Sequence, residues 1–110
     1  MIDLATFDAV AATPGITVLD FTAAWCGPCR TLKPILANLA GEYLGRIQVV
    51  AIDVDADPVL AERFSVRSMP TVVLLRAGRE VGRVVGTRPR TFLAGMLDRA
   101  LAGDVAIAGP

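Results

Sequence analysis

The sequence predicts an α/β domain: a mixed central β-sheet flanked by helices on both faces, in the order αβαβαββα. Three observations predict it. Residues 16–22, 48–53 and 71–75 are apolar, β-branched runs without polar alternation, as in strands covered on both faces. Stretches with apolar residues at helical spacing separate these runs. Residues 80–85 instead alternate, with Arg79 and Arg83 on one side, which indicates an antiparallel strand near an edge. Strands separated by helices pack as a sheet with helices on both faces, here mainly parallel at its centre with a hairpin at the end.

Each element has its own signal. Leu4, Phe7, Val10 and Ala11 recur at helical spacing, so residues 3–12 form a short first helix that Thr13-Pro14-Gly15 ends. In 28–43, Leu32, Ile35, Leu36, Leu39 and Tyr43 make one stripe, the longest helix. Pro34 falls inside it, removes a backbone hydrogen bond and should kink it. Gly41 and Gly45 mark its end. Residues 48–53 read as a second buried strand. Asp57 is placed to cap a third helix, with Pro58 at its first position and Leu60 and Phe64 behind. Met69-Pro70 opens the third strand, and Ala77-Gly78 turns the chain into the fourth. After Thr87 to Pro89, a last helix carries Leu93, Met96, Leu97, Ala100 and Leu101 on one face. The tail 103–110 receives no assignment.

The bulk properties exclude several functions. At 110 residues the chain, 1–110, is one domain. Eleven basic residues balance eleven acidic ones, so no charged field recruits nucleic acid or anionic lipid. Lys33 is the only lysine. No apolar run approaches the roughly 18 residues of a membrane span. Met1-Ile2-Asp3-Leu4 lacks the charged and apolar regions of a secretory signal, so none is expected.

Chemistry concentrates in the stretch from Leu19 to Arg30, which runs from strand through turn into helix and holds both cysteines, Cys26 and Cys29. Pro28, with its fixed φ, suits the first helical turn. A thiol at a helix N-terminus faces the positive end of the dipole and free N–H groups, which favour thiolate. Two such thiols can also close a small disulfide ring. As a mere staple that ring is poor, because a tiny loop gains little unfolded-state entropy. Zinc usually takes four ligands, and two cysteines without any histidine do not supply them within one chain. A site shared between two chains stays open on that count. The missing histidine removes Cys-His hydrolases. Asp53, Asp55 and Asp57 do not make a calcium loop, since Pro58 and Phe64 fall where Gly and Glu are needed. They read as capping and loop residues.

The stretch Trp25-Cys26-Gly27-Pro28-Cys29, preceded by a strand carrying Asp20, resembles the active-site motif of thioredoxins. The resemblance continues through Asp53-Val54-Asp55, Met69-Pro70-Thr71 and Val85-Gly86, so it covers nearly the whole chain. It implies a thioredoxin fold and a dithiol that reduces protein disulfides. Cys26, partly exposed at the turn, is then the attacking thiolate. Cys29, a turn deeper and shielded, resolves the mixed disulfide. Asp20 is implied as its proton acceptor; its apolar strand neighbours should raise its pKa. Pro70 is implied to be cis, with the Met69 backbone offered to an extended client peptide. Trp25 belongs on a flat docking surface with Gly27 and Pro28, and Gly86 lets a client approach. Arg30 steers clients, lowers the thiol pKa or is simply solvated. The sequence departs from the family at Ala51, where a lysine near Asp20 is frequent, and at Thr22, where an aromatic is frequent. No bound cofactor or metal is implied. The implied partners are disulfide-containing clients and a flavin-containing, NADPH-dependent thioredoxin reductase. The setting is a cytoplasmic monomer.

Overall fold

A computed structural model describes residues 3–103. The elements follow the expected order: α1 (Leu4–Ala11), β1 (Ile16–Thr22), α2 (Gly27–Glu42), β2 (Ile47–Asp53), α3 (Pro58–Arg63), β3 (Thr71–Arg76), β4 (Arg79–Val85) and α4 (Arg90–Leu101). The unassigned tail lies outside the described residues beyond Gly103.

The four strands form one sheet in the order β2-β1-β3-β4. β1 and β2 are parallel, while β3 is antiparallel to both β1 and β4. This corrects the expectation of a mainly parallel centre. Apolar runs carry no information about direction; the path of the connection decides it. β2 is also not buried as a whole. It is an edge strand with Ala51 exposed and Ile52 its one fully buried residue. Composition alone does not separate such an edge from a centre.

Period-two alternation along β1 divides the core. Ile16 and Val18 face α2 and α4, where they meet Leu32, Leu36, Leu39, Leu93, Met96 and Leu97. Leu19 and Phe21 face the other way, towards Phe7, Ala11 and Leu60 of α1 and α3. Each such side chain contributes roughly 1.5–3 kcal/mol by leaving water. Asp20 shares the parity of Val18 and Thr22, so the strand aims it at the α2 side. Polar contacts pin α4 to α2 as well. The Tyr43 hydroxyl donates to Asp98 at 2.7 Å, Arg90 Nε donates to Asn38 at 2.8 Å, and Arg90 pairs with Glu42.

α2 runs unbroken through Pro34. The entry into β1 is set by a turn that depends on a glycine. Gly15 has φ +89°, and a Cβ there would fall inside the contact shell of the Arg46 carbonyl oxygen. That oxygen accepts the Ile16 N–H at 3.0 Å, which joins the start of β1 to the start of β2. Gly15→Ala meets both penalties, left-handed strain and backbone collision. We expect it to cost about 2–4 kcal/mol, read as a lower denaturant midpoint.

Candidate active site

β1 delivers the chain to a tight turn at its C-terminal end. The Cys26 N–H donates to the Ala23 carbonyl at 3.1 Å, and α2 begins at the next residue. Cys26 occupies the N-cap with extended dihedrals, and its Sγ accepts the Cys29 N–H at 3.2 Å. The sulfur therefore does what a Ser or Asp oxygen does at other helix starts: it satisfies one of the orphan donors. Pro28 lies in the first turn, where its missing N–H costs nothing. Cys26 and Cys29 are joined by a disulfide with Cα atoms 5.4 Å apart.

Both cysteines are only 3% exposed: Cys29 is shielded as expected, while the expectation of a partly exposed Cys26 is corrected. The physical reason is their packing. In the disulfide form the two sulfurs form one small cluster with Ala23, against which Val54 and Met69 pack. Position along the helix did not reveal that cover of neighbours. Gly27 and Pro28 are exposed on the outer side of the same turn.

Trp25 is 66% exposed, a large apolar surface beside the disulfide. Its indole N–H donates to Asp55 Oδ2 at 2.9 Å. Asp53 in turn accepts the N–H groups of Asp55 and Ala56 at 2.8 and 3.3 Å. Asp53 is thus the loop residue expected and Asp55 also orients the indole, while Asp57 stands at the N-cap position of α3 but its side chain makes no hydrogen bond to the start of that helix. Arg30 is not simply solvated: its guanidinium donates to the Ala24 carbonyl at 3.1 Å and braces the turn. Sequence spacing gave no sign of the Trp25–Asp55 contact, because thirty residues separate the partners.

The Met69-Pro70 peptide is cis. Met69 packs on the cysteine cluster, and the Pro70 carbonyl accepts the Gly86 N–H at 2.8 Å. Gly86 has φ +89°, a conformation in which L side chains are strained. Met69, Pro70 and Gly86 therefore come together at one end of the sheet, next to Cys26 and Cys29.

Asp20 is 3% exposed, and its Oδ1 has no hydrogen-bond partner among the described residues. Its strand partners are Ala51 on β2 and Val72 on β3, so neither flanking strand offers it a charge directly opposite. Burial pushes its pKa from an ordinary 3.8 up to about 6, and the positive charge of Lys33 on α2 works against that rise. The frequent family lysine is absent at Ala51, but a lysine charge reaches Asp20 from another element. Beside Cys29 a cleft of about 290 Å³ opens between Thr22, Ala23, Ala24, Arg30, Lys33 and Asp53.

A cysteine pair that caps a helix, closes as a disulfide and sits under an exposed indole is the site of a thiol–disulfide oxidoreductase. The comparisons with known proteins agree. The thioredoxin family model matches residues 2–99. A thioredoxin from Staphylococcus haemolyticus is 42% identical over 87 residues, which is 79% of this chain and 84% of that protein. A thioredoxin from Staphylococcus epidermidis is 41% identical over the same shares. Among solved structures, an oxidised mitochondrial thioredoxin 3 from Saccharomyces cerevisiae superposes with a TM-score of 0.80 at 33% identity, covering 89% of this chain and 91% of that one. A mutant thioredoxin from Halobacterium salinarum gives 0.80 at 34% identity, with 88% and 83% covered.

The chain belongs to the thioredoxin family. It is a protein-disulfide reductase whose dithiol/disulfide centre is Cys26-Gly27-Pro28-Cys29. No helix among the described residues is long and apolar enough to cross a membrane.

Proposed function

We propose that Cys26 is the attacking thiolate, Cys29 the resolving thiol and Asp20 its proton acceptor. The observation that carries this reading is the N-cap: the helix holds an N–H against Cys26 Sγ, and that donor and the dipole stabilise negative charge on this sulfur. Cys26 S⁻ attacks one sulfur of a client disulfide. A Cys26–client S–S bond forms, the client bond breaks, and the released client thiolate takes a proton from water. Asp20 accepts the proton of the Cys29 thiol. The Cys29 thiolate then attacks Cys26 Sγ, forms the internal disulfide and expels the second client thiolate. Two electrons pass from the dithiol to the client, and neither a metal nor a bound cofactor takes part.

Trp25, Gly27, Pro28, Met69, Pro70 and Gly86 form the client-docking surface in this reading. The exposed indole supplies apolar contact, and the Met69 backbone supplies strand-type hydrogen bonds to an extended peptide. The oxidised protein is recharged by a flavin-containing, NADPH-dependent thioredoxin reductase, in a reducing compartment such as the cytoplasm. The test is insulin-disulfide reduction with NADPH and a bacterial thioredoxin reductase. Catalytic NADPH consumption that depends on this protein is expected. If insulin is reduced no faster than by the reductase alone, the reading fails.

A further inference from the structure

A cation without a carboxylate partner stands at the Gly86 side of the site. The Gly86 N–H is tied to the Pro70 carbonyl at 2.8 Å, and Pro70 follows Met69, which packs on the cysteine cluster. Further along the same loop, Arg88 turns back over Gly86: a Cβ added to Gly86 would stand 3.4 Å from Arg88 Nη1. Local chemistry holds the guanidinium there. Gly86 has φ +89°, and Pro89 restricts the backbone of Arg88 before it. Arg88 Nη1 donates to the Thr87 carbonyl at 3.0 Å. Its guanidinium carbon lies 5.8 Å from the centre of the Phe92 ring, within cation–π range, and Phe92 is 37% exposed. Arg88 is half-buried, yet it enters none of the ion pairs among the described residues. The first turn of α4, which follows it, has no acidic residue, and Arg90 in that turn is already paired with Glu42. A guanidinium has several N–H donors in a planar fork that matches a carboxylate, and the Thr87 carbonyl engages only one of its nitrogens.

We propose that Arg88 is a specificity-determining residue: its guanidinium, held over Phe92 at the Gly86 edge of the docking surface, pairs with an aspartate or glutamate close to the attacked cysteine of the client. The preferred clients are then disulfide proteins that carry an acidic side chain beside that cysteine. The place of Gly86 in the docking surface is taken from the function proposed above. The pair forms at a rim open to water, so it selects among clients more than it tightens all of them.

The experiment compares kcat/KM for model disulfide peptides with glutamate, glutamine or lysine at the positions flanking the reactive cysteine, reduced by the protein with NADPH and a bacterial thioredoxin reductase. Wild type should favour the best-placed glutamate over glutamine by about threefold to fivefold at low salt. Concentrated salt should shrink that preference. Arg88→Gln should remove it, Arg88→Lys should keep part of it, and Arg88→Glu should transfer it to lysine. A wild type without the preference overturns the proposal. So does a preference that survives Arg88→Gln, because another cation, such as Arg30 or Lys33 at the cleft beside Cys29, is then its source. Trp25→Ala, run on the glutamine peptides, tests the docking surface separately and should raise KM. If KM stays and Arg88→Gln still removes the preference, Arg88 is the selector and Trp25 lies outside the docking surface. If KM rises and Arg88→Gln leaves the preference in place, the docking surface stands and the role of Arg88 falls.

Discussion

Cys29→Ser should accumulate covalent adducts with disulfide clients, and Cys26→Ser should accumulate none. In Cys29→Ser the first exchange still proceeds, since Cys26 keeps its place at the start of α2. The mixed disulfide then has no internal thiol to resolve it. Resolution waits for an external thiol and loses the effective molarity of an attacking group a few ångströms away. Turnover should fall by roughly a thousand-fold or more. Cys26→Ser falls as far for a different reason: the remaining thiol, Cys29, lies inside the helix and lacks the N-cap place whose N–H and dipole favour thiolate at position 26. Non-reducing electrophoresis of each variant, mixed with an oxidised client, reads the difference directly. Adducts that form with Cys26→Ser and not with Cys29→Ser would exchange the two roles.

Asp20→Asn should stabilise the oxidised protein at neutral pH and slow exchange. The Asp20 carboxyl has its pKa raised from 3.8 to about 6 in the fold, chiefly by burial. A raised carboxyl pKa means that the native state holds its proton after the unfolded chain has released it. The native state then binds more protons, so stability falls as pH rises. The fall begins near 3.8, is complete above about 6, and leaves a flat plateau beyond. One pH unit of displacement corresponds to ~1.4 kcal/mol. Discounted for solvent screening, the ionised carboxylate costs about 2 kcal/mol at pH 7. Asparagine keeps the shape and removes the charge. Its advantage over wild type should be absent near pH 4, grow through pH 6 and stay constant to pH 9, in denaturant midpoints measured across that range. Disulfide reduction should slow by about tenfold or more, as for loss of a positioned general base. Destabilisation at every pH would show a carboxylate that the fold needs ionised. An unchanged rate would remove Asp20 from the mechanism.

The stability expectation and the rate expectation pull in opposite directions, and that is informative. A residue that destabilises the fold while ionised is not there for the fold.

All eight elements were legible in their order from the amino-acid sequence, because each carried a local pattern: continuous apolar runs for β1 and β3, a helical stripe for α2 and α4, alternation for β4. The cysteine pair at a helix start and the burial of Asp20 were legible for the same reason, since they depend on neighbours within a few residues. Contacts between distant segments settled the rest. β2 proved an edge strand and β3 ran antiparallel to β1, because pairing order and direction are set by connections and not by composition. Cys26 proved buried, because Val54 and Met69, far along the chain, pack over the cysteine cluster. The indole of Trp25 was held by Asp55, and the charge near Asp20 came from Lys33 on α2, where the residues had pointed only to its absence at Ala51. Charges act through space, and separation along the sequence does not show which of them meet in the fold.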